Sequence, residues 1–117
     1  MSTPVKVLVV EDDPFLAIDL EDTLEAAGFA VSGPAASVSR GLELIERDGP
    51  SVATLDYNLG RETSDAIATE LRARRIPFCY ISGNKTYLEQ VVEPVLDKPV
   101  APRTVVRTLE TLTRHAA

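Results

Sequence analysis

Acidic residues, a serine and a lysine stand at four separate points of the chain where an apolar run gives way to polar residues. The four segments are Glu11-Asp12-Asp13, Asp56, Ser82-Gly83 and Asp97-Lys98-Pro99. If they meet in space, several carboxylates, a hydroxyl and one lysine form an acidic pocket for a hard cation. Mg²⁺ prefers few carboxylates, together with water molecules and phosphate oxygens. The residue types therefore predict an acidic pocket for a hard cation, and Mg²⁺ is a candidate.

Each segment has an ordinary structural explanation when it is considered alone. Asp12 or Asp13 before Pro14 fits a helix N-cap followed by proline at the first helical position. Asp56 and Ser82 fit turns, and the lysine-proline pair fits a loop. The combination favours a site, because chance rarely places all four segments at strand ends in this order.

Strand-like and helix-like segments alternate along the chain, which predicts an α/β fold with helices on both faces of a parallel sheet. A polar loop is predicted from Asp56 to about Thr63, and only a short helix fits between residues 85 and 92. The expected architecture is a single domain, 1–117, with a doubly wound five-stranded parallel sheet and a shortened fourth helix. In such folds, ligands bind beyond the carboxyl ends of the strands. The predicted strands are 5–10, 29–32, 52–55, 78–81 and 95–96.

Composition excludes several classes of function. The 117 residues carry a net charge of -6, and residues 1–58 hold eleven acids against three bases, so DNA binding by this chain is not expected. No apolar run reaches the roughly 20 residues of a membrane span, and the N-terminus does not resemble a signal peptide. The single cysteine, Cys79, excludes an internal disulfide. These features together predict a cytoplasmic protein that does not interact with membranes.

The four segments resemble motifs of the receiver domains of bacterial response regulators, and the likeness covers essentially the whole chain. The resemblance implies a flavodoxin-like receiver fold. No output domain is expected, and Met1 and the polar tail favour a complete chain over an excised domain. The matching segments are Leu8-Val9-Val10-Glu11-Asp12-Asp13-Pro14, Leu55-Asp56-Tyr57-Asn58-Leu59, Ile81-Ser82-Gly83 and Asp97-Lys98-Pro99.

The resemblance also implies a role for each site residue. Asp56 would be the nucleophile that accepts a phosphoryl group from a sensor histidine kinase or a phosphotransfer protein. Lys98 would pair with a phosphoryl oxygen, Ser82 would donate a hydrogen bond to the phosphoryl group, and the backbone amide of Gly83 would face it. An unknown downstream target protein would recognise the phosphorylated form. The implied Mg²⁺ ligands are Asp12, Asp56 and the carbonyl of Asn58, with Glu11 holding a metal-bound water.

The chain departs from the usual receiver pattern at three points. Val95 stands where many receivers have an aromatic switch residue, and Gly60 stands where a proline is usual. Lys98 comes only 16 positions after Ser82, so the fourth helix must be reduced. These departures leave the phosphoryl chemistry in place and predict that the signal travels through Ser82 and the segment 83–93.

The segment 77–83 resembles a subgroup of stand-alone receivers that have a Phe-Ala-Thr-Gly-X-Tyr-like motif. In this chain Lys85 occupies the position of the motif's tyrosine, and Tyr87 lies two residues further on.

Two other functions compete with the phosphorylated receiver. One is an adaptor that works without phosphorylation, although degenerate receivers usually lack an acidic or lysine position that this chain retains. The other is a phosphatase with Asp56 as its nucleophile. Haloacid-dehalogenase-type phosphatases have a second aspartate two residues on as the acid/base. Here that residue is Asn58, which cannot transfer a proton, so any catalysis is expected to be limited to the domain's own phosphorylation and dephosphorylation.

Overall fold

A computed structural model describes residues 3–84 and 86–114, which form a five-stranded parallel sheet with helices on both faces. The order of the strands in the sheet is β2-β1-β3-β6-β7, and β4 and β5 form a separate antiparallel hairpin. The strands are β1 (Lys6–Val10), β2 (Ala30–Ala35), β3 (Val52–Leu55), β4 (Asn58–Leu59), β5 (Glu62–Thr63), β6 (Phe78–Ser82) and β7 (Val95–Asp97). The helices are α1 (Pro14–Ala26), α2 (Val38–Asp48), α3 (Asp65–Ala73) and α4 (Pro102–Arg114).

The sheet separates two apolar layers, so its central strands are buried on both faces. Leu8 and Val10 of β1 pack in a cluster with residues of α2 and α3, whereas Val7 and Val9 pack in a cluster with residues of α1 and α4. Burial on both faces explains why the sequence of β1 is continuously apolar. In the part of the chain that the structure describes, no helix is long and apolar enough to cross a membrane.

Local signals account for where the helices begin and end. Asp13 caps α1, because its side chain accepts hydrogen bonds from the backbone amides of Phe15 and Leu16, and Pro14 occupies the first helical position. Ser37 caps α2 in the same way, and α2 ends at Gly49, whose φ of 56° is in the left-handed region. The sequence allowed either Asp12 or Asp13 as the N-cap of α1, and in the structure Asp13 is the cap.

The predicted sheet is confirmed, and three local predictions need correction. The second strand, predicted as 29–32 because Gly33-Pro34 reads as a turn, continues to Ala35. A shift of pairing register between Leu8 and Val10 keeps it hydrogen-bonded to β1. Gly33 has a φ of 100°, and a Cβ there would lie 2.9 Å from the carbonyl oxygen of Val9. The turn-forming residues therefore lie inside a strand.

The predicted polar loop after Asp56 contains the β4–β5 hairpin, with Leu59 paired to Glu62. The expected short helix between residues 85 and 92 is a single 3₁₀ turn, Thr86–Leu88, so the shortened fourth helix has less regular structure than predicted. Leu88 is buried in the core and attaches this segment to the domain. Lys85, the position that departs from the subgroup motif, lies outside the described residues.

Candidate functional site

The carboxyl ends of four parallel strands bring the predicted site residues to one edge of the sheet. Val10 pairs with Leu55, so Glu11 and Asp56, the next residue of each strand, leave the sheet side by side. Ser82 pairs with Asp97 at the ends of β6 and β7. The backbone amide of Lys98 donates to the carbonyl oxygen of Ser82 at 3.0 Å. This bond fixes the point at which the lysine leaves the sheet.

Lys98 connects the two most buried carboxylates of the site. Its Nζ lies 2.9 Å from Oε1 of Glu11 and 3.0 Å from Oδ2 of Asp56. The side chains of Glu11, Asp56 and Lys98 are 5%, 11% and 23% exposed, respectively. A protonated lysine at this point partly neutralises two carboxylates that the fold removes from water.

The pKa shifts of these groups follow from burial and from the shared lysine. Burial raises the pKa of Glu11, although hydrogen bonds from the amide of Asp13 and from Lys98 act in the opposite direction. Burial acts to lower the pKa of Lys98, but hydrogen bonds to Glu11 and Asp56 outweigh it, so the pKa is raised. Lys98 is therefore held in its charged form between the two acids.

Asp12 completes a cluster of three carboxylates. One ligand oxygen from each of Glu11, Asp12 and Asp56 lies within 4.8 Å of the others. Asp12 is exposed, and its Oδ2 accepts a hydrogen bond from the backbone amide of Gly60 at 3.0 Å. The three acids and Lys98 together carry a formal charge of -2 when ionised. An all-oxygen donor set with excess negative charge fits a hard divalent cation such as Mg²⁺.

The other three predicted site residues, Ser82, Gly83 and Asn58, have different local environments. The hydroxyl of Ser82 donates to the carbonyl oxygen of Asn84 at 3.1 Å and accepts from the amide of Asn84 at 3.2 Å. Gly83 is exposed, and among the described residues no heavy atom would lie within 4 Å of a Cβ at this position. Asn58 is exposed at the start of the β4–β5 hairpin, paired with Thr63.

An aromatic stack beside the site was not expected from the sequence. Tyr57, the residue after Asp56, stacks on the ring of Tyr87 with centroids 5.8 Å apart and an interplanar angle of 12°. Tyr57 also meets Tyr80 edge to face at 6.4 Å. Tyr87 is 64% exposed. No periodic pattern relates residues 57 and 87, because both lie in short irregular segments that only the tertiary structure brings together.

The acidic helix next to the site also presents apolar side chains to solvent. Phe15 and Ile18 of α1 are 80% and 54% exposed, and Leu16 is also exposed. Their helix begins directly after Asp12 and Asp13. A group of exposed apolar side chains on one helix is a feature of many protein-binding surfaces.

The comparisons with known proteins agree with this fold. No protein-family model matches the chain. The curated relatives are the transcriptional regulatory protein PdtaR of two Mycobacterium tuberculosis strains, each 28% identical over 75 residues. That match covers 64% of this chain and 37% of the relative, so the chain spans well under half the length of these proteins.

Many solved structures have a similar fold, and two of them illustrate matches over nearly the whole chain. A response regulator receiver protein from Sinorhizobium medicae has a TM-score of 0.86 at 22% identity, covering 97% of this chain and 98% of its own. The signal receiver domain of a modulated diguanylate cyclase from Desulfovibrio desulfuricans has a TM-score of 0.84 at 27% identity, with coverage of 96% and 95%.

These matches define the class of the domain. The chain has the five-stranded, flavodoxin-like fold of the receiver domains of response regulators, which are proteins of two-component signalling. The resemblance that the four sequence segments indicated is confirmed, and so is the fold class.

Proposed function

We propose that this chain accepts a phosphoryl group on Asp56 in a Mg²⁺-dependent reaction and then signals through protein-protein interaction. The observation that carries the proposal is Lys98, whose Nζ lies between Glu11 and Asp56 beside a third carboxylate. A phosphoryl acceptor needs a buried carboxylate with a lysine and further carboxylates for a cation beside it. The proposed donor is a sensor histidine kinase or a phosphotransfer protein, and the proposed location is the cytoplasm.

The chemistry is a transfer between two nucleophiles. A carboxylate oxygen of Asp56 attacks the phosphorus atom, and the bond from phosphorus to the donor's histidine nitrogen breaks, with the electron pair returning to the imidazole. Asp12, Asp56 and the carbonyl of Asn58 would hold Mg²⁺, with Glu11 binding through water, and the cation would offset repulsion between carboxylate and phosphoryl oxygens. Lys98 contributes a point charge to one phosphoryl oxygen. The domain would catalyse only its own phosphorylation and dephosphorylation.

The hydroxyl of Ser82 would connect phosphorylation to the segment 83–93. Its proton is donated to the carbonyl of Asn84, so donating to a phosphoryl group on Asp56 requires this bond to break. The side chain of Asn84 in turn accepts from the amide of Thr86 at 2.9 Å, at the start of the 3₁₀ turn that carries Tyr87. Breaking the first bond therefore loosens the turn whose tyrosine stacks on Tyr57.

The proposed output is a change in the surface of that segment. Val95 of β7 carries no ring that could switch between buried and exposed positions, whereas Tyr57 and Tyr87 form an aromatic stack beside the site. Amide hydrogen exchange with and without beryllium trifluoride, a mimic of aspartyl phosphate, should show changed protection in residues 83–93 and little change in β1. Unchanged exchange in 83–93 beside large changes elsewhere would contradict this route.

The acceptor is tested by substitution. Asp56→Asn keeps the shape of the side chain and removes the nucleophilic oxygen anion, so incubation with a small-molecule phosphodonor and Mg²⁺ should give no acid-stable, base-labile phosphate. Asp22→Asn, an exposed change of the same charge on α1, is the matched control and should label normally. Undiminished labelling of Asp56→Asn would overturn the assignment. If the unlabelled protein binds its partner as tightly as the labelled one, the adaptor function is favoured instead.

A further inference from the structure

The tip of the β4–β5 hairpin makes a direct contact with the candidate metal site. The hairpin begins two residues after Asp56, and the amide of Gly60 donates to Oδ2 of Asp12, 48 residues away in sequence, at 3.0 Å. Among residues 3–84 and 86–114, the other oxygen, Oδ1, accepts no hydrogen bond. A hydrogen bond to one oxygen of a metal-binding carboxylate fixes the orientation of the other.

The hairpin is held firmly enough to act as a support. At its base, the amide of Ser64 donates to the carbonyl of Tyr57 at 2.8 Å. Leu59 is buried in the core, and the carboxylate of Glu62 accepts a hydrogen bond from the amide of Val38 at the start of α2. Gly60 therefore lies in a short turn whose position is set by contacts on both sides.

The conformation of Gly60 presents its amide to Asp12. Its φ is 65°, and Arg61 is not among the described residues with positive φ, so the two-residue turn is of the II′ kind, which favours glycine at its first position. The proline that the receiver pattern usually has at this position would carry no N–H and would fix φ near -65°. The glycine thus supplies both the backbone angle and the donor.

We propose that the backbone amide of Gly60 is a positioning group for Asp12 and sets the affinity of the site for a divalent cation. This inference rests on the proposed function and deepens it, because it concerns how the same site is prepared for Mg²⁺. Losing a hydrogen-bond partner of a metal ligand typically lowers metal affinity by about 10- to 100-fold. Without this hydrogen bond the exposed Asp12 carboxylate rotates freely, and its orientation must be restricted each time the cation binds.

Two D-amino acids at position 60 distinguish the effect of the backbone N–H from the effect of the backbone angle φ. D-Proline fixes φ near +65° and has no N–H. D-Alanine adopts the same φ and keeps the N–H. The Gly60→D-Pro and Gly60→D-Ala variants can be prepared by chemical synthesis of the full chain, with Cys79 as a ligation site. Mg²⁺ affinity is measured by calorimetry, phosphorylation by the phosphodonor assay at varied Mg²⁺, and folding by circular dichroism and unfolding in EDTA.

The D-proline variant should bind Mg²⁺ about tenfold or more weakly than the D-alanine variant. Its phosphorylation should be slow at low Mg²⁺ and should reach the D-alanine rate at saturating Mg²⁺, which a general distortion of the site would not allow. With Asp12→Ala added, the two variants should bind Mg²⁺ equally, because the amide then has no carboxylate to orient. If D-proline does not fold, an ester linkage at residue 60, made with glycolic acid, removes the same N–H.

The outcomes distinguish this inference from the proposed function. Equal or tighter Mg²⁺ binding by the D-proline variant, beside a D-alanine variant that binds and labels normally, overturns the inference and leaves the function intact. A difference that persists with Asp12→Ala also overturns it. If the unmodified synthetic chain binds no Mg²⁺ and takes no phosphate, the proposed function fails and the inference falls with it.

Discussion

The substitution Asp12→Asn should change the stability of the domain in opposite directions with and without Mg²⁺. In metal-free solution, Asp12 is one of three carboxylates whose nearest ligand oxygens lie within 4.8 Å of one another, and Lys98 offsets only part of their charge. Asparagine keeps an oxygen that accepts the hydrogen bond from Gly60, so the change removes charge and little else.

The magnitude follows from the geometry. Two unit charges at this separation repel by about 0.9 kcal/mol in water, and Asp12 faces two other carboxylates. The attraction of Lys98 and screening by salt reduce the sum, so we expect the free energy of unfolding to rise by about 1 kcal/mol in EDTA. Because Asp12 is exposed, the dielectric constant of water is the appropriate one for this repulsion.

Mg²⁺ should reverse the order of stability. A wild-type protein at a Mg²⁺ concentration 100 times its Kd gains about 2.7 kcal/mol, whereas a variant that binds a hundredfold more weakly gains only about 0.4 kcal/mol. The variant would then be the less stable protein by about 1 kcal/mol. Urea unfolding of both proteins, once in EDTA and once in excess Mg²⁺, measures the two differences.

The matched control is Asp22→Asn, which makes the same change of charge on the exposed surface of α1 and should leave both differences near zero. If Asp12→Asn is less stable than wild type in EDTA, the carboxylates do not repel as the distances imply. If the order of the two proteins is the same in EDTA and in Mg²⁺, Asp12 is not a ligand of the cation.

Two further predictions concern parts of the fold outside the site. Thr54→Val should raise the free energy of unfolding by about 1 kcal/mol, because the buried hydroxyl has no hydrogen-bond partner among residues 3–84 and 86–114. The control is Thr108→Val, because the hydroxyl of Thr108 donates to the backbone of α4 and its loss should bring no gain in stability. Equal effects of the two substitutions in chemical unfolding would contradict the reasoning. Arg72→Gln should speed amide exchange between the 3₁₀ turn and β7, because it removes the two-bond ion pair to Glu93 that also lowers the pKa of that acid. Arg74→Gln, which removes two ion pairs at the surface, should leave exchange in that segment unchanged.

The strands that were easiest to predict are those that the fold buries on both faces. The apolar runs 5–10, 52–55 and 78–81 appear as β1, β3 and β6 with bounds that differ by no more than one residue. A buried parallel strand leaves no face for polar residues, so a run of consecutive apolar residues marks its position in the sequence. The meeting of strand ends at one edge follows from the parallel arrangement and needs no further information.

The local predictions that were wrong concern segments where contacts with distant residues outweigh the conformational preference of the local sequence. Gly33 and Pro34 are turn-forming residues, yet they continue β2 because the register shift against β1 keeps the strand paired. The hairpin after Asp56 has strands of only two residues each, too short to show any period in the sequence. The segment before β7 folds as a 3₁₀ turn, and the burial of Leu88 anchors it where too few residues remain for a full helix.

The residue types of this chain and their positions at the ends of apolar runs were sufficient to predict the fold class and the edge of the sheet where three carboxylates and Lys98 meet. They did not determine which groups touch there. The pairing of Lys98 with both Glu11 and Asp56, and the hydrogen bond from Gly60 to Asp12, join residues 42 to 87 positions apart. Such contacts depend on strand register and on the shape of a hairpin, which distant parts of the chain set jointly. Only the tertiary structure therefore decides them.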